Sequence, residues 1–177
     1  MGFVIQDDAL APRKEIILVY DGLNPVSIYP QVDPMLRTIF EAKGTHMYEP
    51  VFKWDASGDP RSFYIKVQVK KGIDRFTKFE VNVLLWGTQP ADKTKPGNVK
   101  IIISGFLNTE FPASKLFEKL LYTPFFYLYN IGYYNKIRRQ YVQWVRDGIY
   151  KLDSQIRAKF NIPQSEVQFK LSEEAQT

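Results

Sequence analysis

The chain has 177 residues, of which 45% are hydrophobic, and it carries a formal net charge of +5 and no cysteine. This length suits one domain with a substantial core, and the lack of cysteine excludes disulfides, thiolate nucleophiles and zinc–thiolate sites. We expect a single domain over 1–177, with flexible tails at 1–14 and 171–177 and a helical unit at 114–160 that covers a sheet.

The amino-terminal residues predict a cytoplasmic protein. They include two acids, Asp7 and Asp8, and lack the basic leader and apolar run of a secretory signal. The sequence nowhere offers the roughly 20 predominantly apolar residues of a spanning helix. We therefore expect no transmembrane span, and peripheral membrane contact stays open.

The first regular elements are a strand and a short helix. Residues 15–20 (EIILVY) are an apolar run that predicts a largely buried strand. A helix is predicted over 34–43, because Asp33 fits the N-cap, Pro34 the first helical position and Gly44 the C-cap.

Three segments then alternate between apolar and polar side chains. Residues 62–70 and 78–86 place apolar side chains at every second position, and 99–111 does the same, with Gly105 predicted to mark a bulge. Such alternation in successive segments is typical of an antiparallel meander with one buried face. That face needs a cover.

One more strand is predicted before these three. Residues 46–54 have strand character, and Pro50 within them predicts an edge strand or a bulge, because proline cannot donate to a sheet ladder. The sheet is therefore expected to have about five strands.

The carboxy-terminal third is predicted to be helical and to supply the cover. Three weak helix formers, Asn130, Gly132 and Asn135, predict a break, after which a final helix is expected over 134–160. The predicted fold class is α+β: an antiparallel sheet of about five strands, one short helix and a long C-terminal helix packed across one face.

The final helix carries an apolar stripe with one arginine inside it. The stripe occupies one side of a helical wheel. Its members are Tyr134, Tyr141, Val142, Val145, Ile149, Leu152, Ile156 and Phe160. Arg138 falls within this stripe, where a charge is costly unless it is paired or reaches water. Either its head snorkels out at the helix start, or it anchors an anionic group.

The leading hypothesis for function is a non-catalytic binding module. It would hold a hydrophobic or amphipathic ligand, such as a lipid, between the sheet and the terminal helix. Tyr134, Tyr141, Trp144 and Val145 would line the site, and Arg138 would bind the anionic group of the ligand.

An alternative hypothesis uses the basic residues of the same helix. Lysine and arginine outnumber acids strongly in 136–160, and the rest of the chain is neutral. Arg139, Arg146 and Arg157 align on one face, and with Lys136 they would bind the phosphates of RNA. The competing interpretation is a solvated basic face without a partner.

The aromatic segment 120–135 allows further interpretations. As part of the core, its rings would form a lid on the sheet. As an exposed surface beside basic residues, it would contact a membrane interface, stack nucleic-acid bases, or build a homo-oligomer. The sequence alone leaves these alternatives open.

An enzyme is not expected. The sequence lacks the phosphate-loop, dinucleotide-binding, nucleophile-elbow and zinc-protease motifs. His46 is the single histidine, so it has no second histidine with which to share a metal. We expect no catalytic residue, no metal and no cofactor.

The order of elements resembles the helix-grip architecture. A strand, a helical segment, several antiparallel strands and a long terminal helix follow one another over residues 15–160, as in START-like and polyketide-cyclase-like proteins. This resemblance implies an apolar ligand between the curved sheet and the last helix. The predicted strand number departs from that family, which has seven strands.

Overall fold

The computed structural model describes residues 3–111, 124 and 128–163. Within these ranges an antiparallel sheet carries two α-helices on one face. The strands are β1 (Phe3–Asp8), β2 (Ile16–Leu23), β3 (Met47–Asp55), β4 (Arg61–Gly72), β5 (Thr77–Gln89) and β6 (Pro96–Phe111). The helices are α1 (Tyr29–Phe40) and α2 (Asn135–Phe160), with short helical turns at Pro25–Ile28, Gly44–His46 and Asn130–Tyr134.

The sheet is a meander with a divided edge. Strands β3, β4, β5 and β6 lie side by side in chain order, each antiparallel to the next. The free side of β6 is shared, because β2 pairs with its first half and β1 with its second half. The α+β class and the antiparallel sheet predicted from the sequence are confirmed.

The predicted inner face of the sheet is also confirmed. In β5, Phe79, Val81, Val83 and Leu85 are at most 1% exposed. The alternate residues of β4 and β6 lie on the same side and are buried with them. The core therefore lies between this face and the two helices.

The sheet has six strands in the described residues rather than five. The additional strand is β1, which occupies part of 1–14, where the sequence predicted a tail. Its residues, FVIQDD, place three apolar side chains together and two acids together, so they give no alternation signal. The strand exists because β6 supplies a long partner.

Helix α1 begins and ends before the predicted bounds of 34–43. It begins at Tyr29 because Pro30 takes a first-turn position, where the missing N–H costs no hydrogen bond. Pro34 lies inside the helix, so Asp33 is not its N-cap. The left-handed C-cap residue is Glu41 rather than Gly44.

The irregularity of the sheet lies at Pro50 and not at Gly105. Strand β3 is an edge strand whose register with β4 shifts between Tyr48 and Val51, as Pro50 predicted. Strand β6 keeps regular register at Gly105. This glycine instead gives room to α2, because a Cβ there would lie 2.5 Å from Ile149 Cδ1.

The long terminal helix is confirmed with nearly the predicted bounds. A π-helical turn over Asn130–Tyr134 stands where the sequence predicted a break, and α2 continues from Asn135 to Phe160. Apart from Pro124, the part of the predicted unit 114–160 that precedes residue 128 lies outside the described residues, as does the predicted tail 171–177.

Candidate functional site

The middle and end of α2 are packed directly on the sheet. Val145, Ile149, Leu152 and Ile156 have no exposed surface. Together with the close approach of Ile149 to Gly105, this burial shows that helix and sheet are in contact along this part of α2. The predicted ligand position between them is filled by side chains here.

The five residues predicted to line a ligand site have different surroundings. Val145 is in the core, and Trp144 is 41% exposed at the side of the helix. The Trp144 ring packs edge-on against Phe40 of α1 and Phe79 of β5. Trp144 therefore joins the two helices to the sheet.

Tyr134 and Tyr141 belong to a polar cluster rather than to an apolar wall. Tyr134 is 3% exposed, and its hydroxyl donates to Asp74 Oδ2 at 2.7 Å and lies 2.7 Å from Thr77 Oγ1. Asp74 belongs to the β4–β5 connection, and its Oδ1 accepts the backbone N–H groups of Phe76 and Thr77 at 2.8 Å. The cluster fixes the first turns of α2 to this hairpin.

The ionisation of this cluster follows from its hydrogen bonds. Burial by itself would raise the pKa of Asp74, but the bonds from Tyr134, the two backbone amides and Tyr141 hold that pKa below its ordinary value. Burial and the Asp74 carboxylate raise the pKa of both tyrosines, although the Thr77 bond to Tyr134 opposes this. At neutral pH the site therefore holds one carboxylate and two neutral phenols.

Arg138 turns inward and is paired. Its side chain is 13% exposed, and Nη1 lies 3.1 Å from Oδ2 of Asp7 in β1. Nη2 donates to Asn135 Oδ1 at 3.1 Å. Within the described structure, Nε and Nη1 are buried without a hydrogen-bond partner of good geometry, so the guanidinium keeps unused donor capacity.

The predicted basic face divides into bound and free residues. Arg146 donates to the backbone oxygens of Ala9 at 2.7 Å and Ala11 at 3.2 Å. Arg157 is 9% exposed and bonds to Asp153 and to the Pro163 oxygen. These two arginines hold the fold together.

Lys136 and Arg139 are exposed and lie at the start of α2. Two apolar or aromatic side chains that precede them in the helical segment are also exposed, Leu128 at 68% and Tyr133 at 61%. From Tyr133 onward these residues follow at intervals of three, so they are neighbours along one side of the helix. We call Leu128, Tyr133, Lys136 and Arg139 the α2-start surface.

The α2-start surface lies in an acid-free part of the sequence. Between Lys119 and Arg146 the chain contains no Asp or Glu. Positive charge at the surface therefore has no acidic neighbour in the sequence to neutralise it. Asp7, which approaches from β1, is paired with the inward Arg138.

The other prominent exposed region is the side of the sheet that faces away from the helices, which we call the open face. Trp86 is 57% exposed there, and Tyr64 on the neighbouring strand is 37% exposed. Sequence reasoning gave this face no role. The available signal was the aromatic residue on the polar side of each alternating strand.

Three further features bear on possible functions. His46 Nδ1 accepts the backbone N–H of Lys43 at 3.2 Å, which is a local structural role. In the part of the chain that the structure describes, no group of three or more His, Asp or Glu side chains is placed to hold a metal ion. None of the described helices is long and apolar enough to cross a bilayer.

Comparison with known proteins identifies no relative of the chain. No family model, curated protein or solved structure matches the chain. The antiparallel sheet with a C-terminal helix across it is compatible with a helix-grip-like topology, and the first two strands of this chain pair with its last described strand.

Proposed function

We propose that the protein is a non-catalytic binding module that docks on anionic membrane surfaces through the α2-start surface. The observation that carries this proposal is the shared exposure of Leu128, Tyr133, Lys136 and Arg139 within one short acid-free segment. Apolar side chains that enter the interface, together with cations that meet acidic headgroups, are the two components of interfacial binding. The bound species is thus amphipathic and anionic.

Membrane lipid fits this surface better than RNA does. An exposed leucine such as Leu128 gains free energy when it enters an acyl layer, but it offers nothing to a phosphate backbone. Two of the four residues that would have bound RNA, Arg146 and Arg157, are occupied by backbone and carboxylate oxygens. Of the four, only Lys136 and Arg139 remain exposed, which is too few to bind a phosphate backbone strongly.

The proposed binding surface lies at the start of α2, whereas the sequence had predicted a ligand site between α2 and the sheet. Further along the helix, Ile149 fills the space above Gly105, so a ligand there would have to displace core side chains. The four residues of the α2-start surface already face solvent, so a partner that binds there displaces no core side chain.

The test is co-sedimentation with vesicles of phosphatidylcholine, with and without phosphatidylserine. We expect binding only to the anionic vesicles, and weaker binding as salt is added. Leu128→Ser should reduce binding about tenfold, because a leucine side chain contributes about 1.5–3 kcal/mol when it is buried. Leu23→Ser is the matched control, since Leu23 is 57% exposed at the far end of β2.

Two results would contradict the proposal. One is equal binding of the wild type to neutral and anionic vesicles, or no binding to either. The other is an equal effect of Leu128→Ser and Leu23→Ser. Retention on single-stranded RNA at low salt, abolished by Lys136→Ala, would instead support the nucleic-acid alternative.

A second candidate function rests on Arg138. Its buried Nε lacks a hydrogen-bond partner of good geometry among the described residues, and it would receive the anionic head of a single amphipathic ligand. Native mass spectrometry of the purified protein tests this candidate. A bound small molecule that is lost in Arg138→Gln but kept in Lys136→Ala supports it, and a ligand-free spectrum excludes it.

A further inference from the structure

The open face presents most of its apolar side chains in two neighbouring rows, each of which runs across the strands. In the first row, Val19, Lys100, Trp86, Tyr64 and Lys53 lie directly opposite one another across five strands. Of these residues, Trp86, Val19 and Tyr64 are 57%, 54% and 37% exposed. A groove of about 370 Å³ runs beside Trp86.

The second row continues the apolar surface. It contains Ile17, Ile102, Leu84, Lys66 and Val51, again in register across the five strands. The two rows together form a contiguous apolar patch that contains three lysines. Extended exposed apolar patches mark interaction surfaces in folded proteins.

The charges of the open face are balanced. Five lysines and five carboxylates occupy the strand positions whose register places them on this side of the sheet. They are Lys53, Lys66, Lys70, Lys78 and Lys100, and Asp8, Asp21, Asp55, Glu80 and Glu110. A face without net charge does not attract a nucleic acid or an anionic membrane, because both require an excess of positive charge.

A second copy of the chain fits this balance. A third row, bounded by Asp21 and Asp55, lies next to the row that contains Lys100 and Lys53. A two-fold axis between these rows brings the aspartates of one copy close to the lysines of the other. In such a symmetric interface the same patch serves both partners, so self-complementary charge is required.

The size of the whole open face, of which these rows are a part, also fits a dimer. Five strands about 4.8 Å apart, over about 30 Å of their length, present roughly 700 Å² of surface. Each partner in a stable protein–protein interface buries about 800 Å². Twisted sheets pack face to face at about 30°, which lets the exposed rings of the two copies interdigitate.

We propose that the open face is the interface of a homodimer, with Trp86 and Tyr64 at its centre. The α2-start surface lies outside this interface, so the dimer carries two copies of it. The proposal is independent of the membrane-docking function. It concerns the partner of a different surface, and it is tested by the oligomeric state of the protein rather than by vesicle binding.

Sedimentation equilibrium over a wide concentration range tests the proposal. We expect a wild-type dimer whose dissociation constant rises about thirtyfold or more in Trp86→Ala, as for a central aromatic anchor. Val19→Asp should also give monomers, because it places an unpaired charge in the interface. Tyr150→Ala, which removes an aromatic ring 46% exposed on α2, is the matched control and should remain dimeric.

Each outcome decides the question. A wild type that is monomeric at the highest concentration overturns the proposal, and so does a Trp86→Ala protein that dimerises as tightly as the wild type. Circular dichroism of each variant establishes that it is folded. A wild type that binds a single-stranded oligonucleotide at low salt, with binding lost in Trp86→Ala, assigns the face to nucleic acid and also overturns the dimer.

Discussion

The two ends of α2 have similar residue types but serve different purposes. Toward its end, Arg157 is buried against Asp153 and the chain that follows the helix. At its start, Lys136 and Arg139 face solvent beside Leu128 and Tyr133. Arginine at one end therefore stabilises the fold, and basic residues at the other remain available to a partner.

This difference teaches that a helical wheel cannot separate structural from free arginines. Arg139 and Arg146 lie on nearly the same side of α2, yet only Arg146 is known to meet backbone oxygens, those of Ala9 and Ala11. Those oxygens follow β1, which is far away in sequence. The partner, and not the position on the wheel, decides the role.

The largest expected difference in stability is between alanine substitutions at two glycines, Gly148 in α2 and Gly132 in the π-helical turn before it. A Cβ at Gly148 would lie 2.6 Å from a ring carbon of the fully buried Phe40, whereas Gly132 has open space around its Cα. Gly148→Ala should destabilise the protein by about 1–3 kcal/mol through overpacking. Gly132→Ala should be neutral or stabilise it by up to about 1 kcal/mol through helix propensity. Urea denaturation compares the two, and equal effects would show that the π-helical turn and the middle of α2 are packed alike.

The second contrast concerns Arg146 and Arg139. Arg146→Ala removes two charge-assisted hydrogen bonds to backbone oxygens and should cost about 1.5–3 kcal/mol of unfolding free energy. Arg139→Ala changes an exposed residue and should stay within about 0.5 kcal/mol of the wild type. The thermal unfolding midpoints of the two variants, compared with that of the wild type, measure both changes in stability. A destabilised Arg139→Ala protein would break the distinction between structural and free arginines.

The third contrast uses lysines on the same helix. Lys136→Ala should weaken binding to anionic vesicles about fivefold, since one basic residue near such a surface contributes about 1 kcal/mol. Lys151→Ala removes another exposed charge farther along α2 and should have no comparable effect. Equal losses would mean that net charge alone, rather than the α2-start surface, directs binding.

The smallest expected effect is a pH dependence of stability, which arises where Asp74 binds Tyr134 at the start of α2. Because hydrogen bonds lower the pKa of Asp74 in the folded state, the unfolded chain binds the proton more readily. Stability should therefore fall as the pH drops below the ordinary aspartate value of about 4. Asp74→Asn should flatten this part of the profile of urea midpoint against pH, and Tyr134→Phe should flatten it partly. An unchanged profile in Asp74→Asn would contradict this assignment.

The sequence predicts most of the fold because its signals are local. The alternation in 62–70, 78–86 and 99–111 identifies three strands, and the apolar spacing of Val145, Ile149, Leu152 and Ile156 identifies the buried side of α2. Strand β1 escapes prediction because its pairing with β6 is not visible in its own residues.

The candidate sites are predicted less well because they depend on contacts between distant residues. The inward position of Arg138 follows from the wheel, but its partner Asp7 comes from the other end of the chain. Alternation also places Tyr64 and Trp86 on the outer side of the sheet. Their exposure depends on where both helices pack, which no local pattern encodes.

The divided edge of β6 has a consequence for the order of folding. Strands β3 to β6 pair with their neighbours in sequence, so each hairpin closes a short loop. Strands β1 and β2 must instead reach across most of the chain, since Phe3 lies opposite Phe111 and Ile16 opposite Ile103. Distant contacts form late because the loop entropy is lost before they stabilise anything. We therefore expect the meander to form first and the amino-terminal strands, with the Asp7 that pairs with Arg138, to join it last.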